Sequence, residues 1–136
     1  GFVSGAAGHE MTIENCFFGK DGGWCNSPSQ AIHYASCHDN YTLYDRMVAA
    51  GITGDDTIKK MAVLANAVVF SSQGTSFMLA GEELLRTKGG DHNSYDSGYE
   101  VNELDYSRKI DFADVFANYQ KLVVLAEEQG IVICQS

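Results

Sequence analysis

His38-Asp39-Asn40 is the tripeptide in this sequence with the clearest chemical capacity. A carboxylate and an imidazole exposed where a buried strand meets solvent can stabilise developing positive charge and hydrogen-bond a polar ligand. The same pair could equally tie down a turn. Adjacent residues on a strand point to opposite faces, so the two side chains are expected to act separately and not as a contacting dyad. Glu82 and Glu83 supply two further carboxylates. Glycosidases set a pair of carboxyl groups roughly 5 to 9.5 Å apart across the scissile bond, so a glutamate facing Asp39 would make such a pair. The other reading is that both glutamates hold the local loop and the helix after it.

The stretch Asp91-His92-Asn93-Ser94-Tyr95-Asp96 packs many hydrogen-bonding groups and one aromatic into a few residues. That mixture suits a sugar, whose hydroxyls need donors and acceptors and whose ring faces stack on aromatics. Asp, Asn and Ser are also ordinary turn residues. Trp24, Tyr41 and Tyr44 are further aromatic candidates, and Arg46 and Arg86 could serve sugar hydroxyls or neighbouring carboxylates. Metal chemistry has little support. A set built from His9, Cys16, Cys25 and His38 matches no known ligand spacing, and the oxygen-rich loop at 91–96 lacks the spacing of a calcium-binding EF-hand.

These residues need elements to position them. Residues 31–37 form a short apolar run without helical periodicity, which predicts a buried strand ending at His38. Asp55 or Asp56 can cap a helix, and Ile58, Met61, Ala62, Ala65, Val68 and Val69 recur at three-and-four spacing, giving a helix over 57–72 that stops at Gly74. A second short apolar strand covers 77–80 and ends in Gly81-Glu82-Glu83. The polar stretch 86–108 follows. Phe112, Val115, Phe116, Tyr119, Leu122, Val123 and Ala126 then trace a helix over 112–129, closed by Gly130. Residues 1–30, rich in Gly, Ser and Asn, read as a loop region with a short helix near 10–17. Buried strands alternating with amphipathic helices predict an α/β fold with a parallel sheet, whose strand ends carry the site.

Bulk properties exclude more than they propose. The 136 residues hold 9 Lys plus Arg against 18 Asp plus Glu, for a formal charge of −9. Nucleic acid and anionic membranes require clustered positive charge, and none is present. No run reaches the roughly 18 to 20 apolar residues of a membrane span. The four cysteines, Cys16, Cys25, Cys37 and Cys134, include no C-x-x-C pair and read as free thiols, which tilts an otherwise open localisation towards a reducing cytoplasm. The first residues carry no Met and no signal-peptide pattern, so the chain is expected to begin inside something longer.

Two stretches, NSPSQAIHYASCHDNYTLYDRM and SSQGTSFMLAGEELLRTKGGDHNSYDSGYEVNELDY, resemble type I pullulanases and glycogen-debranching relatives in the α-amylase family of glycoside hydrolases. GFVSG at the start looks like the loop before the seventh strand of that family's barrel. The resemblance runs over most of residues 1–126, and the DHNSY…EVN loop points to pullulanase more than to α-amylase. Thr75-Ser76, Gly98-Tyr99 and His33 depart from the family pattern without touching His38-Asp39.

The resemblance implies a fold and a role for each residue. The fold would be the C-terminal quarter of a (β/α)8 TIM barrel. Residues 1–30 would precede strand seven, 31–129 would hold strands seven and eight with their helices, and 130–136 would be a divergent tail. Asp39 would be the catalytic transition-state stabiliser and His38 would bond the sugar at the cleavage point. Asn40, Asp91, Asn93 and Tyr95 would line the glucan site, while Glu82 and Glu83 would not be the catalytic pair. The implied reaction is retaining hydrolysis of α-1,6-glucosidic branch linkages in pullulan, amylopectin or glycogen. No cofactor is implied, calcium is left open for a parent enzyme, and the partners are an α-glucan and the remainder of the parent barrel. No segment here matches the family's nucleophile or acid/base motifs, so the isolated chain is expected to be inactive and, with open strand edges, poorly soluble or molten. A non-catalytic glucan-binding or interaction module is the other reading.

Overall fold

The structure is a computed structural model that describes residues 1–20 and 25–135. Trp24, one of the aromatic candidates, lies outside the described residues. The elements run α1 (Glu10–Phe17), β1 (Ile32–His33), α2 (Leu43–Ala49), α3 (Asp55–Ser71), β2 (Thr75–Met78), α4 (Tyr99–Asn102), α5 (Arg108–Asp111), α6 (Ala113–Glu128) and β3 (Val132–Gln135), with short 3-10 turns between them.

α3 and α6 form the helical layer. Asp55 and Asp56 occupy the first turn of α3, where acidic side chains complement the helix dipole, while Gly54 takes the cap position expected of one of them. Ile58, Ala62, Ala65 and Val69 recur at helical spacing and are buried. Ile58 and Ala62 meet Val115, Tyr119 and Ala126 of α6, in a core completed by Met47, Phe70, Met78, Leu85 and Phe112. Ala65 and Val69 instead line an apolar groove. Burying each large side chain contributes about 1.5–3 kcal/mol, before the cost of ordering the chain. Asn66 sits in the middle of this apolar face at 0% exposure. Its amide donates to the Ala62 carbonyl and to the Tyr119 hydroxyl, which satisfies two polar groups where the helices cross.

α3 ends at Ser72, whose hydroxyl caps the Val68 carbonyl at 2.7 Å. Gly74 follows with φ +128, and a Cβ there would lie 2.6 Å from the Pro28 carbonyl oxygen and 2.8 Å from that of Ala31. Glycine is therefore set by close backbone approach at the entry to β2 more than by helix termination. α6 ends as anticipated, with Gly130 at φ +72 and the Ile131 amide turned back onto the Ala126 carbonyl at 2.9 Å.

The sheet corrects the sequence reading. A quarter of a (β/α)8 TIM barrel, with two strands and a divergent tail, does not describe this chain. The described residues form a small, mainly helical unit with one open, parallel, three-stranded sheet in the order β1-β2-β3. The tail residues form β3, paired with β2 from Thr75↔Val132 to Met78↔Gln135. β1 is two residues long and pairs only Ile32↔Thr75 and His33↔Ser76. The expected buried strand over 31–37 stops early because Ser36 turns inward to a side chain beyond β2, pulling the chain off the ladder. Its outer face is solvent-facing, with Ile32 63% and Tyr34 55% exposed. Barrel closure was carried by the family resemblance alone, since hydrophobic periodicity specifies that strands are apolar but not how many neighbours they find.

α2 was not anticipated in the sequence. Thr42 caps it by accepting the Asp45 amide at 3.1 Å, and the T-L-Y-D spacing of residues 42–45 is the signal for that cap. No helix of the described residues is long and apolar enough to cross a membrane.

Candidate functional site

After β1 the chain descends through Ser36 and emerges as an exposed bend at His38-Asp39-Asn40. Asn40 adopts φ +62, a left-handed conformation that Asn tolerates better than most side chains. The His38 and Asp39 side chains are 79% and 73% exposed, and Nε2 lies 3.8 Å from Oδ1. The two do approach each other, contrary to the strand-based expectation, because the ladder has already ended at His33. At such exposure the ion pair adds little to stability, and both groups remain open to a ligand.

The loop at 91–97 stands beside this bend. Asp91 is bound up within its own turn, accepting the Asn93 amide at 2.8 Å and the Ser97 hydroxyl at 2.6 Å. Those bonds, the Ser97 hydroxyl first, hold its carboxyl below the usual range. Asn93 is exposed, and Tyr95 is 82% exposed. Ser94 between them is buried, and Asn102 of α4 donates to the carbonyls of Ser94 and Ser97 at 2.8 and 3.1 Å. Of the six sequence-selected residues, His38, Asp39, Asn40, Asn93 and Tyr95 are surface-accessible, while Asp91 chiefly shapes its loop.

The connections between the two loops were missed in the sequence. Lys88, 6% exposed, sends its ammonium to the His38 carbonyl at 2.9 Å and to the Ser94 hydroxyl at 2.7 Å. Asp45 of α2, 5% exposed, fixes that lysine's backbone by accepting the Lys88 amide at 2.8 Å and the Thr87 hydroxyl at 2.5 Å. Tyr41 packs against His92 with ring centroids 5.5 Å apart and lies under Arg46, 5.1 Å away. Tyr44 is covered by Arg108. Tyr41 and Tyr44, weak candidates as sugar platforms, thus have internal partners. Arg86 also turns inward, to the carbonyls of Ala80 and Asn102.

Glu82 is buried, whereas the Asp39 side chain is exposed. The glutamate is 2% exposed, accepts the Ser36 hydroxyl through Oε1, and its Oε2 finds no hydrogen-bond partner among the described residues. Burial pushes its carboxyl up to about 7, against the opposing pull of the Ser36 hydrogen bond. Glu83 accepts the Gly81 amide at 3.0 Å. Glu83 acts on its own turn, whereas Glu82 ties that turn to the segment leading into His38. Among the described residues no group of three or more His, Cys, Asp or Glu side chains could hold a metal ion. An apolar groove of about 490 Å³ lies between α1, β1, α2 and α3, lined by Phe2, Val3, Ile13, Ile32, Met47 and Val68, and none of residues 38–40 or 91–95 lines it.

No protein-family model matches the chain. It is 37% identical to the pullulanase of Bacillus subtilis over 99 residues, which is 72% of this chain and 14% of that protein. Among solved structures it resembles a pullulanase from Bacillus acidopullulyticus at 42% identity and a TM-score of 0.89, covering 93% of this chain and 16% of that one. A pullulanase from Paenibacillus barengoltzii, complexed with maltohexaose and α-cyclodextrin, matches at 35% identity and a TM-score of 0.84, over 93% of this chain and 21% of that one. The chain therefore spans about a fifth or less of these relatives, and its sequence and its fold together place it in the pullulanase lineage of glycoside hydrolases.

Proposed function

We propose that this chain supplies part of the α-glucan site of a debranching glycoside hydrolase that cleaves α-1,6-glucosidic branch linkages in pullulan, amylopectin or glycogen. Asp39 stabilises the oxocarbenium-like transition state, and His38 and Asn40 hydrogen-bond the sugar at the cleavage point. Asn93 and Tyr95 extend the contact along the glucan, on a loop whose shape Asp91 maintains. The observation that carries this reading is the exposed His38-Asp39-Asn40 bend standing beside the Asn93–Tyr95 loop, with Lys88 bonded to both. Solved relatives complexed with malto-oligosaccharides support the ligand class.

Retaining hydrolysis needs a nucleophile and an acid/base beside the stabilising carboxylate. Glu82 is buried and Glu83 is bonded to its own turn, so neither is free for these tasks. By this reading the 136 residues contact glucan without hydrolysing it. The buried core shared by α3 and α6, set against the expectation of a molten chain, gives a framework on which binding by the chain itself is tested. The test pairs a maltotriose titration of the chain with a pullulan hydrolysis assay. Saturable binding centred on residues 38–40 and 93–95 without sugar release is expected. Binding elsewhere, or none, would remove the reading, and turnover by the chain would refute the assignment of nucleophile and acid/base to other segments.

A further inference from the structure

We propose that Lys88 is a positioning residue, a strut that holds the His38–Asn40 bend and the Asn93–Tyr95 loop in one register so that a single glucan chain meets both. This deepens the glucan-site reading and rests on it. Lys88 is 6% exposed, and burial pushes its ammonium below the usual lysine range. Asp91, Asp39 and Asp45 attract that ammonium through space, yet among the described residues no carboxylate lies within ion-pairing distance of it. Burying a charge in that way costs stability unless hydrogen bonds compensate it. Here the direct bonds come from the His38 carbonyl and the Ser94 hydroxyl, acceptors that belong to different loops, 50 and 6 residues away in sequence, with weaker support from the charges of Asp91, Asp39 and Asp45. Charge-assisted bonds of this kind are stronger than neutral ones.

The consequence for the site follows from peptide geometry. The His38 carbonyl and the Asp39 amide share one rigid plane, so fixing that carbonyl fixes where the Asp39 side chain departs from the backbone. Ser94 lies between Asn93 and Tyr95, so anchoring its hydroxyl does the same for both of those exposed side chains. Asp45 completes the arrangement from α2 by clamping the lysine's own amide and the neighbouring Thr87 hydroxyl. A methionine could fill the volume of Lys88 but could bond neither acceptor. An exposed site built on two loops needs such support, because small displacements of contacting groups cost affinity steeply.

The test uses the 136-residue chain with native Lys88, K88M and S94A, observed through backbone amide resonances with and without maltotetraose. In the ligand-free state, K88M is expected to shift and loosen the amides of both residues 38–40 and 93–95, while those of α3 and α6 stay in place. Maltotetraose affinity should fall about tenfold, and the two loops should respond at different ligand concentrations instead of together. If K88M does not fold, S94A decides the matter, since it keeps the lysine and releases one loop only. It should loosen 93–95, leave 38–40 in place, and weaken binding about threefold. Unchanged loop amides in K88M, or an S94A protein with both loops undisturbed, overturn the strut. If the native chain fails to bind maltotetraose while K88M still loosens both loops, the strut stands and the glucan reading falls.

Discussion

The Ser36 hydroxyl donates to the buried carboxylate of Glu82, joining the segment that leads into His38 to the turn that follows β2. The bond spans 46 residues of sequence and anchors the candidate site from beneath. Tyr119 lies close enough to feel the Glu82 and Glu83 charges, and its hydroxyl is pushed well above its ordinary range, first by burial. Any change in the charge of Glu82 is therefore felt by α6 as well as by the site loop.

Stability should depend on the protonation of that group. Burial raises the Glu82 carboxyl from 4.5 to about 7. The folded state holds this proton more tightly than the unfolded chain does, so the associated stability is complete below pH 4.5 and is lost as pH rises through 7. The full difference is on the order of 3 kcal/mol. Urea melts between pH 4 and 8 should show native stability declining relative to Glu82→Gln across that window. Parallel curves for the two proteins would refute it. Asp91, Asp105 and Asp114, each held below the ordinary range, act at lower pH and with the opposite sign in both proteins.

Asp45→Ala should destabilise the chain by about 2–3 kcal/mol. The substitution removes a buried acceptor from the Lys88 amide and the Thr87 hydroxyl together, and an unmatched buried donor costs more than the bond it once made. The urea midpoint is the measurement, and a shift smaller than that of a surface control would show that water replaces the carboxylate without loss.

Gly74→Ala should be poorly tolerated. Its Cβ would press on the carbonyl oxygens of Pro28 and Ala31 in a backbone conformation that side chains rarely adopt. We expect a loss of several kcal/mol, on the order of 3, visible as a lowered melting temperature. Gly98→Ala, where a Cβ meets open space, is the matched control and should change little.

Asp39→Asn separates function from fold. The side chain is 73% exposed, so the melting curve should stay within experimental scatter of the native one. In a pullulanase-length polypeptide carrying this segment, kcat should fall by on the order of a hundredfold or more, as expected when a group facing transition-state charge is removed. Near-native kcat would take Asp39 out of the reaction.

Much of the framework is legible in the sequence. α3 and α6 lie within two residues of the helices drawn from the spacing of Ile58 to Val69 and of Phe112 to Ala126, because a helix buries one stripe and that stripe repeats locally. α1 spans Glu10–Phe17, as read, and β2 starts and ends two residues before the strand anticipated over 77–80. α2 was overlooked because its residues were weighed as ligands instead of as a capped turn of helix.

The sequence by itself determined the long helices, the exposed H-D-N tripeptide and, by resemblance, the pullulanase lineage, all of which depend on local pattern or on motifs in order. Tertiary structure alone decided that the sheet is open and three-stranded, that residues 132–135 form β3, that β1 is cut to two residues, and that Glu82 is buried beneath the site. It also decided that Lys88 and Asp45 join the two site loops. Each of these rests on partners 40 or more residues apart, such as Ser36 with Glu82, Lys88 with His38, and Asp45 with the Lys88 amide. A buried lysine and a surface lysine have the same letter in sequence, and only the packing of distant segments separates them.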